Sequence, residues 1–259
     1  ARGANGVVII TTKRAKEGQT RVTFETYQGV QTISKRYDVL NAKQFAQLSK
    51  DAALNDGLKP YAGNDPAWPD IPSFINPDLV EQQMGEGTDW QEEILRKGRL
   101  ENYQLSILSG SEKTQYSLMT GYYNQEGIIK NSNFKRYSLR ANTNTTVNDW
   151  LKFGSSLSIS RSESRIIPTD GVEGSSVVIT PALSYLPVIS PRNDQNLYNS
   201  GAPAYFAVLH NPLIGIDLNE STTQTNRVLG NLFAEVRLLK RLDYKINFGF
   251  DYNANEGNL

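Results

Sequence analysis

Apolar and polar residues alternate with a period of two over several stretches of about ten residues, the length of a tilted β-strand that crosses a bilayer. From Leu242 to Tyr252 every even position is apolar or aromatic, whereas Asp243, Lys245, Asn247, Gly249 and Asp251 take the odd ones. The stretch 226–238 sets Val228, Leu232, Ala234, Val236 and Leu238 against Asn231, Glu235 and Arg237, with Leu229 and Phe233 blurring the pattern. Tyr103, Leu105 and Ile107 oppose Asn102, Gln104 and Ser106, and Tyr116, Leu118 and Tyr122 oppose Gln115, Ser117 and Gly121. Tyr137, Leu139 and Ala141 oppose Arg136, Ser138, Arg140 and Asn142; Leu151, Phe153, Leu157 and Ile159 oppose Lys152, Gly154, Ser156, Ser158 and Ser160. A weaker run starts at Val22 and Phe24 and reaches about Gln31. The pattern predicts an all-β, antiparallel sheet of about seven strands.

The connections carry a second pattern. A long segment at about 32–99 is followed by a tight turn at Gly110-Ser111-Glu112-Lys113, a middling loop from Asn124 to Asn133 and a tight turn at Asn148-Asp149. A long excursion at about 162–225 then precedes a tight turn near Leu239-Lys240-Arg241. Long and short connections alternate, as in outer-membrane barrels with brief periplasmic turns and extended extracellular loops. A soluble all-β module that binds carbohydrate is the rival reading, but soluble sheets favour strands of about five or six residues, shorter than most runs here. Inside the first long loop, Asn41 stands as a helix N-cap before Phe45, Leu48, Ala52 and Leu54, and Thr88-Asp89-Trp90 before Ile94 and Leu95 predicts another helical turn.

Composition narrows the function. Lys plus Arg and Asp plus Glu number 27 each, so no net field draws in nucleic acid. Cysteine is absent, which removes disulfides, thiolate metal sites and a cysteine nucleophile. No stretch approaches the ~20 apolar residues of a membrane-spanning helix, but a membrane β-barrel is compatible with this polar average because only one face of each strand is apolar. The single histidine, His210, rules out paired-histidine metal sites. Asp65, Asp70 and Asp78 lack calcium-loop spacing, and Gly3-Ala4-Asn5-Gly6 lacks the lysine step of a phosphate-cradling loop. No acid/base pair stands at a recognisable motif, so no enzymatic activity, cofactor or metal is expected.

The segment Ala1-Arg2-Gly3-Ala4-Asn5-Gly6-Val7-Val8-Ile9-Ile10-Thr11-Thr12-Lys13 resembles the end of the plug domain in the SusC/RagA family of TonB-linked outer-membrane proteins. Further stretches similar to that family recur in order: Thr88 to Ile94, Leu105 to Tyr116, Gly121 to Tyr137, and Asn148 to Gly154. From about 162 to 225 the resemblance is weak, where loops of the family vary with substrate.

The resemblance implies a plugged barrel of roughly 22 strands, of which this chain supplies about seven. Residues 1–14 are then the last strand of the plug and 15–259 the N-terminal part of the barrel. The chain, which starts without an initiator Met, is expected to be an internal piece, with the TonB-contact segment upstream of residue 1. The implied function is import of oligosaccharides or peptides across the outer membrane of Bacteroidota, with a SusD-like lipoprotein as cap and the TonB complex as motor. Arg2, Gly3, Ala4, Asn5 and Gly6 would be structural. Tyr61, Trp68, Tyr185, Tyr198 and Tyr205 lie in the two long loops, where they either stack on a substrate ring or pack the loops themselves. Tyr103, Tyr116, Tyr122 and Tyr252 fall on the register that faces lipid, where interface belting is the natural role.

Overall fold

Seven strands pair in the order of the sequence, each antiparallel to the next, in the computed structural model. It describes residues 18–55, 57, 76–169, 177–199, 210–218, 221–239 and 242–258. The strands are β1 (Arg21–Gln31), β2 (Gly98–Gly110), β3 (Thr114–Glu126), β4 (Asn133–Asn148), β5 (Leu151–Arg165), β6 (Thr222–Leu239) and β7 (Leu242–Asn258). Their lengths run from 11 to 18 residues. The sheet is open, with β1 and β7 as its edges.

Local chemistry sets the tight turns. Asn148 accepts from the backbone N–H groups of Trp150 and Leu151 at 3.1 and 2.9 Å, an Asx turn that reverses β4 into β5. Between β2 and β3, the backbone N–H of Ser111 donates to the Thr114 carbonyl at 2.7 Å, and the Ser111 hydroxyl accepts from the Thr114 N–H at 3.1 Å. Leu229 and Phe233 interrupt the alternation because they stand on the otherwise polar face. The Phe233 ring lies over Gly154 of β5, directly opposite, and under the Lys245 ammonium at 4.8 Å. A side chain at Gly154 would collide with that ring.

The strands outrun the sequence expectation on the loop side. β5 continues to Arg165 and β6 begins at Thr222, so the long loop is 166–221, and the β3–β4 loop shrinks to 127–132. These extensions are polar on both faces and therefore give no alternation to read.

Among the described residues, five helices sit in the loops: α1 (Ala42–Asn55), α2 (Pro77–Met84) and α3 (Trp90–Ile94) between β1 and β2, and α4 (Ile179–Ser184) and α5 (Pro212–Asp217) between β5 and β6. The Asn41 cap is present as expected. Its side chain accepts from the Gln44 N–H at 2.9 Å while Gln44 accepts from the Asn41 N–H at 3.0 Å, a reciprocal capping box. Among the described residues, every buried apolar side chain lies in these loops and none in a strand. The core is thus a cap on one end of the sheet, built from Ala42, Ala46, Val80, Trp90, Ile94, Ile129, Tyr185, Leu186, Ile216 and their neighbours.

Candidate functional site

The two faces of the sheet differ in character. One carries Phe24, Leu105, Leu139, Ile159, Val228 and Tyr252 side by side in register, with only Thr120 interrupting the row. Phe24, Leu139, Ile159 and Phe248 are 63, 39, 38 and 62 % exposed, so the apolar face meets the surroundings directly. Along β7 it is apolar or aromatic from Leu242 to Tyr252. Ten steps of about 3.3 Å, shortened by a tilt of about 40°, give roughly 25 Å, the height of an outer-membrane barrel's apolar band.

Tyrosines border the band. Tyr103, Tyr122 and Tyr137 sit opposite one another across β2, β3 and β4, with ring centroids 6.2 and 5.1 Å apart. Gln28 donates to the Tyr103 hydroxyl at 2.8 Å. The next outward row toward the loops is wholly polar, from Gln28 through Glu101, Lys135 and Glu163 to Glu256. At the opposite end Tyr116, Trp150 and Tyr244 stand exposed beside the tight turns. Aromatic rings at both ends of an apolar band are what a membrane interface selects, because the ring is apolar and its polar atom is wet. Tyr137, Trp150 and Tyr244 join the expected Tyr103, Tyr116 and Tyr122, and Tyr252 ends the apolar run of β7 in the row of Val228.

The other face is polar. Ser156, Ser158, Ser160, Ser162 and Ser164 alternate along β5. Arg227 of β6 holds Asp251 of β7 through two hydrogen bonds at 3.1 and 2.7 Å, and Arg237 reaches Asp243 at 3.1 Å. Asn142 donates to Ser117 at 3.0 Å.

The described long connections gather at one end and are tied together by named side chains. Asp89 caps α3 by accepting from Gln91 and Glu92 N–H groups, and Arg36 pairs with the same carboxylate at 3.3 Å. The Gln91 side-chain amide makes a two-way pair with the backbone of Tyr37, at 2.9 and 2.8 Å. Trp90 sends its indole N–H to the Leu186 carbonyl at 3.0 Å. Arg96 clamps the β3–β4 loop through the carbonyls of Gly127 and Ser132. Asp217 of α5 accepts from Asn131, Arg192 and Tyr198 at 3.1, 3.0 and 3.0 Å, joining the second and third loops. The stretch Thr88 to Ile94 therefore builds the cap.

Of the five aromatic residues weighed for stacking, two are described. Tyr185 is 4 % exposed, edge-on to Trp90 at 5.0 Å, and donates to the Asn199 carbonyl. Burial pushes its hydroxyl pKa up. One face of Tyr198 is covered by the Arg192 guanidinium at 4.3 Å, and its hydroxyl is held by Asp217. Both are packing residues of the cap in this arrangement. Tyr61, Trp68 and Tyr205 lie outside the described residues, as do Arg2, Gly3, Ala4, Asn5 and Gly6. His210 is exposed beside the buried Asn211, and Asp78 opens α2. Among the described residues no group of three or more acidic, histidine or cysteine side chains is placed to hold a metal, and no helix is long and apolar enough to cross a membrane.

No family model matches the chain. It is 26 % identical over 255 residues to TonB-dependent receptor P3 of Formosa agariphila, covering 96 % of this chain and 23 % of that protein. TonB-dependent receptor SusC of Bacteroides thetaiotaomicron is 26 % identical over 264 residues, with 96 % and 23 % covered. Among solved structures, the RagAB peptide transporter superposes with a TM-score of 0.74 at 22 % identity, over 97 % of this chain and 30 % of that one. The chain is SusC/RagA-like. The SusC/RagA-like segment spans about a quarter of the length of its curated relatives, which are named as receptors rather than enzymes. Its seven-stranded open sheet matches part of the fold of the RagAB importer.

Proposed function

We propose that this chain is one side of the barrel of a TonB-dependent transporter that imports oligosaccharides or peptides across the outer membrane. The observation that carries the reading is the sorting of the sheet: an apolar band with aromatic rims on one face, a polar wall on the other, and the long connections packed together at one end. A soluble carbohydrate-binding module would leave that apolar band in water.

In this reading residues 1–14 end the plug and 15–259 open the barrel. A SusD-like lipoprotein closes over the loop cap, and the TonB complex, acting through a segment upstream of residue 1, rearranges the plug. The barrel does no chemistry; it gates passage. Tyr61, Trp68 and Tyr205 are the remaining sequence candidates for substrate contact. The likeness to the RagAB peptide transporter supports the peptide class, and the oligosaccharide class comes from the family resemblance of the sequence.

The test uses the full-length protein in its own cells. It is expected in the outer-membrane fraction, migrating faster before boiling than after, and pulling down a lipoprotein under mild detergent. Growth of a deletion strain on defined oligosaccharides or on peptides as the limiting nutrient then selects the substrate class. Recovery from the soluble periplasm sinks the proposal.

A further inference from the structure

Along β3 the apolar face changes character within a short distance. Thr120 lies in the apolar band, directly between Leu105 of β2 and Leu139 of β4, and Tyr122, two residues on, lies between Tyr103 and Tyr137. Asn124 is two residues further, in the row of Glu101 and Lys135, so apolar, aromatic and charged rows follow one another within about 13 Å. The tyrosine row is confined to these three strands; the same register carries Thr26, Arg161, Asn226 and Ala254 on the others.

A groove of about 520 Å³ runs between the apolar and the tyrosine rows. Leu105, Thr120 and Leu139 line one side, Tyr103, Tyr122 and Tyr137 the other, and Arg161 stands at one end. Thr120 makes the room, because its side chain is shorter than the leucines and rings around it. The rings hold one another, with centroids 6.2 and 5.1 Å apart, and Gln28 fixes the Tyr103 hydroxyl. Both signs of charge border the mouth toward the loops: Arg161 binds Glu163 at 2.8 Å, Asn124 donates to Glu101 at 3.2 Å, and Lys135 stands opposite Glu163 on the neighbouring strand.

We propose that this groove docks one acyl chain of a zwitterionic phospholipid, whose headgroup lies across the charged row with its phosphate toward Arg161 and Lys135 and its ammonium toward Glu101 and Glu163. The inference rests on the transporter reading, which sets the apolar face against lipid and the polar face toward the lumen, and adds a bound lipid to it. The order of the rows along β3 is the order of a lipid's parts, from apolar tail through the amphipathic ester zone to the charged headgroup. Both charges of such a headgroup find a complement, whereas a purely anionic one would also face Glu101, Glu163 and Glu256 in the same row. Tyrosine rings that already pack on one another lose little freedom when the chain docks.

The test uses the full-length protein in vesicles of phosphatidylethanolamine and phosphatidylglycerol, doped with phosphatidylethanolamine that carries a diazirine in its acyl chain. After illumination, the cross-linked positions are mapped by mass spectrometry. Label is expected to be several-fold denser on Tyr103, Tyr122 and Leu139 than on Phe248 and Phe250, which lie in the same apolar band on β7. Thr120→Phe fills the groove and is expected to bring that density down to the level of β7, while the heat-dependent migration of a folded barrel is kept. The same diazirine on phosphatidylglycerol is expected to label the groove less. Uniform label along the band, or dense label that survives in the Thr120→Phe variant, means bulk lipid only and overturns the site. Equal label from both lipids overturns the zwitterionic headgroup, and label on the tyrosines below the level of β7 means that a second copy or another protein covers the groove, which also overturns it. Only protein recovered in the outer-membrane fraction is reconstituted, so a failed transporter reading shows at fractionation and not in the label.

Discussion

Trp90 donates its indole N–H to the carbonyl of Leu186, 3.0 Å away and 96 residues later in the chain. The ring is 3 % exposed and meets Tyr185 edge-on, so one side chain pins the first long loop to the third. Trp90→Ala is predicted to remove about 3–5 kcal/mol from the cap while leaving the strand ladder in place. Limited proteolysis of the full-length protein would then cut within 32–97 or 166–221 many times faster, with barrel migration on gels unchanged. Equal protease resistance in the variant would show that the cap does not depend on this contact.

Gly87 has φ +80°, and an added Cβ would run into the Pro187 carbonyl and the Ala42 methyl group. Both the left-handed backbone and the crowding oppose a side chain. Gly87→Ala is predicted to cost about 1–3 kcal/mol, read as faster amide exchange in α1 and around Thr88. Gly57, also at positive φ but with nothing near its missing Cβ, is expected to lose less on the same substitution.

Asp217 receives Arg192, Tyr198 and Asn131. Its Arg192 pair is about one-third exposed on each side, so most of the effect comes from the shared hydrogen bonds rather than from charge attraction alone. Asp217→Asn is predicted to loosen the third loop by about 1–2 kcal/mol. A double-mutant cycle with Arg192→Gln would give a non-zero coupling by thermal or chemical denaturation; additive effects would dissolve the hub.

The raised pKa of Tyr185 has a pH consequence. Burial favours the neutral phenol in the folded cap, whereas the unfolded chain ionises near pH ~10. The contribution is therefore complete below that pH and is lost as pH rises through the higher folded value. Protease resistance of the cap should decline above pH ~10, and Tyr185→Phe should flatten that decline at the cost of the bond to the Asn199 carbonyl. An unchanged slope in the variant would assign the alkaline loss to another group.

The two faces of β4 and β5 should respond oppositely to charge. Leu139→Arg, in the middle of the apolar band, is predicted to cost about 2–4 kcal/mol and to lower the amount of folded protein in the outer membrane. Ser156→Arg, on the lumen face, should be far milder. Comparable losses from both would invert or abolish the assignment of faces.

The strand pattern was readable because alternation is a local property. Each of the seven strands was visible where one face meets lipid, and Asn41 and Asp89 announced their helices through side chains that cap within three residues. The boundaries toward the loops were missed, since Ser162 to Arg165 and Thr222 to Thr225 are polar on both faces and show no alternation. Helices α2, α4 and α5 were missed as well. They are 8, 6 and 6 residues long, too short for a helical period to show, and two of them hold their place through buried contacts such as Val178, Ala182 and Ile216.

By itself the sequence determined the strands, the lipid-facing register and the resemblance, because each is written in residues close together along the chain. Only the tertiary structure decided that the buried core is a cap made of loops and that Tyr185 and Tyr198 pack within it. Those facts depend on which residues meet across separations such as the 96 positions between Trp90 and Leu186.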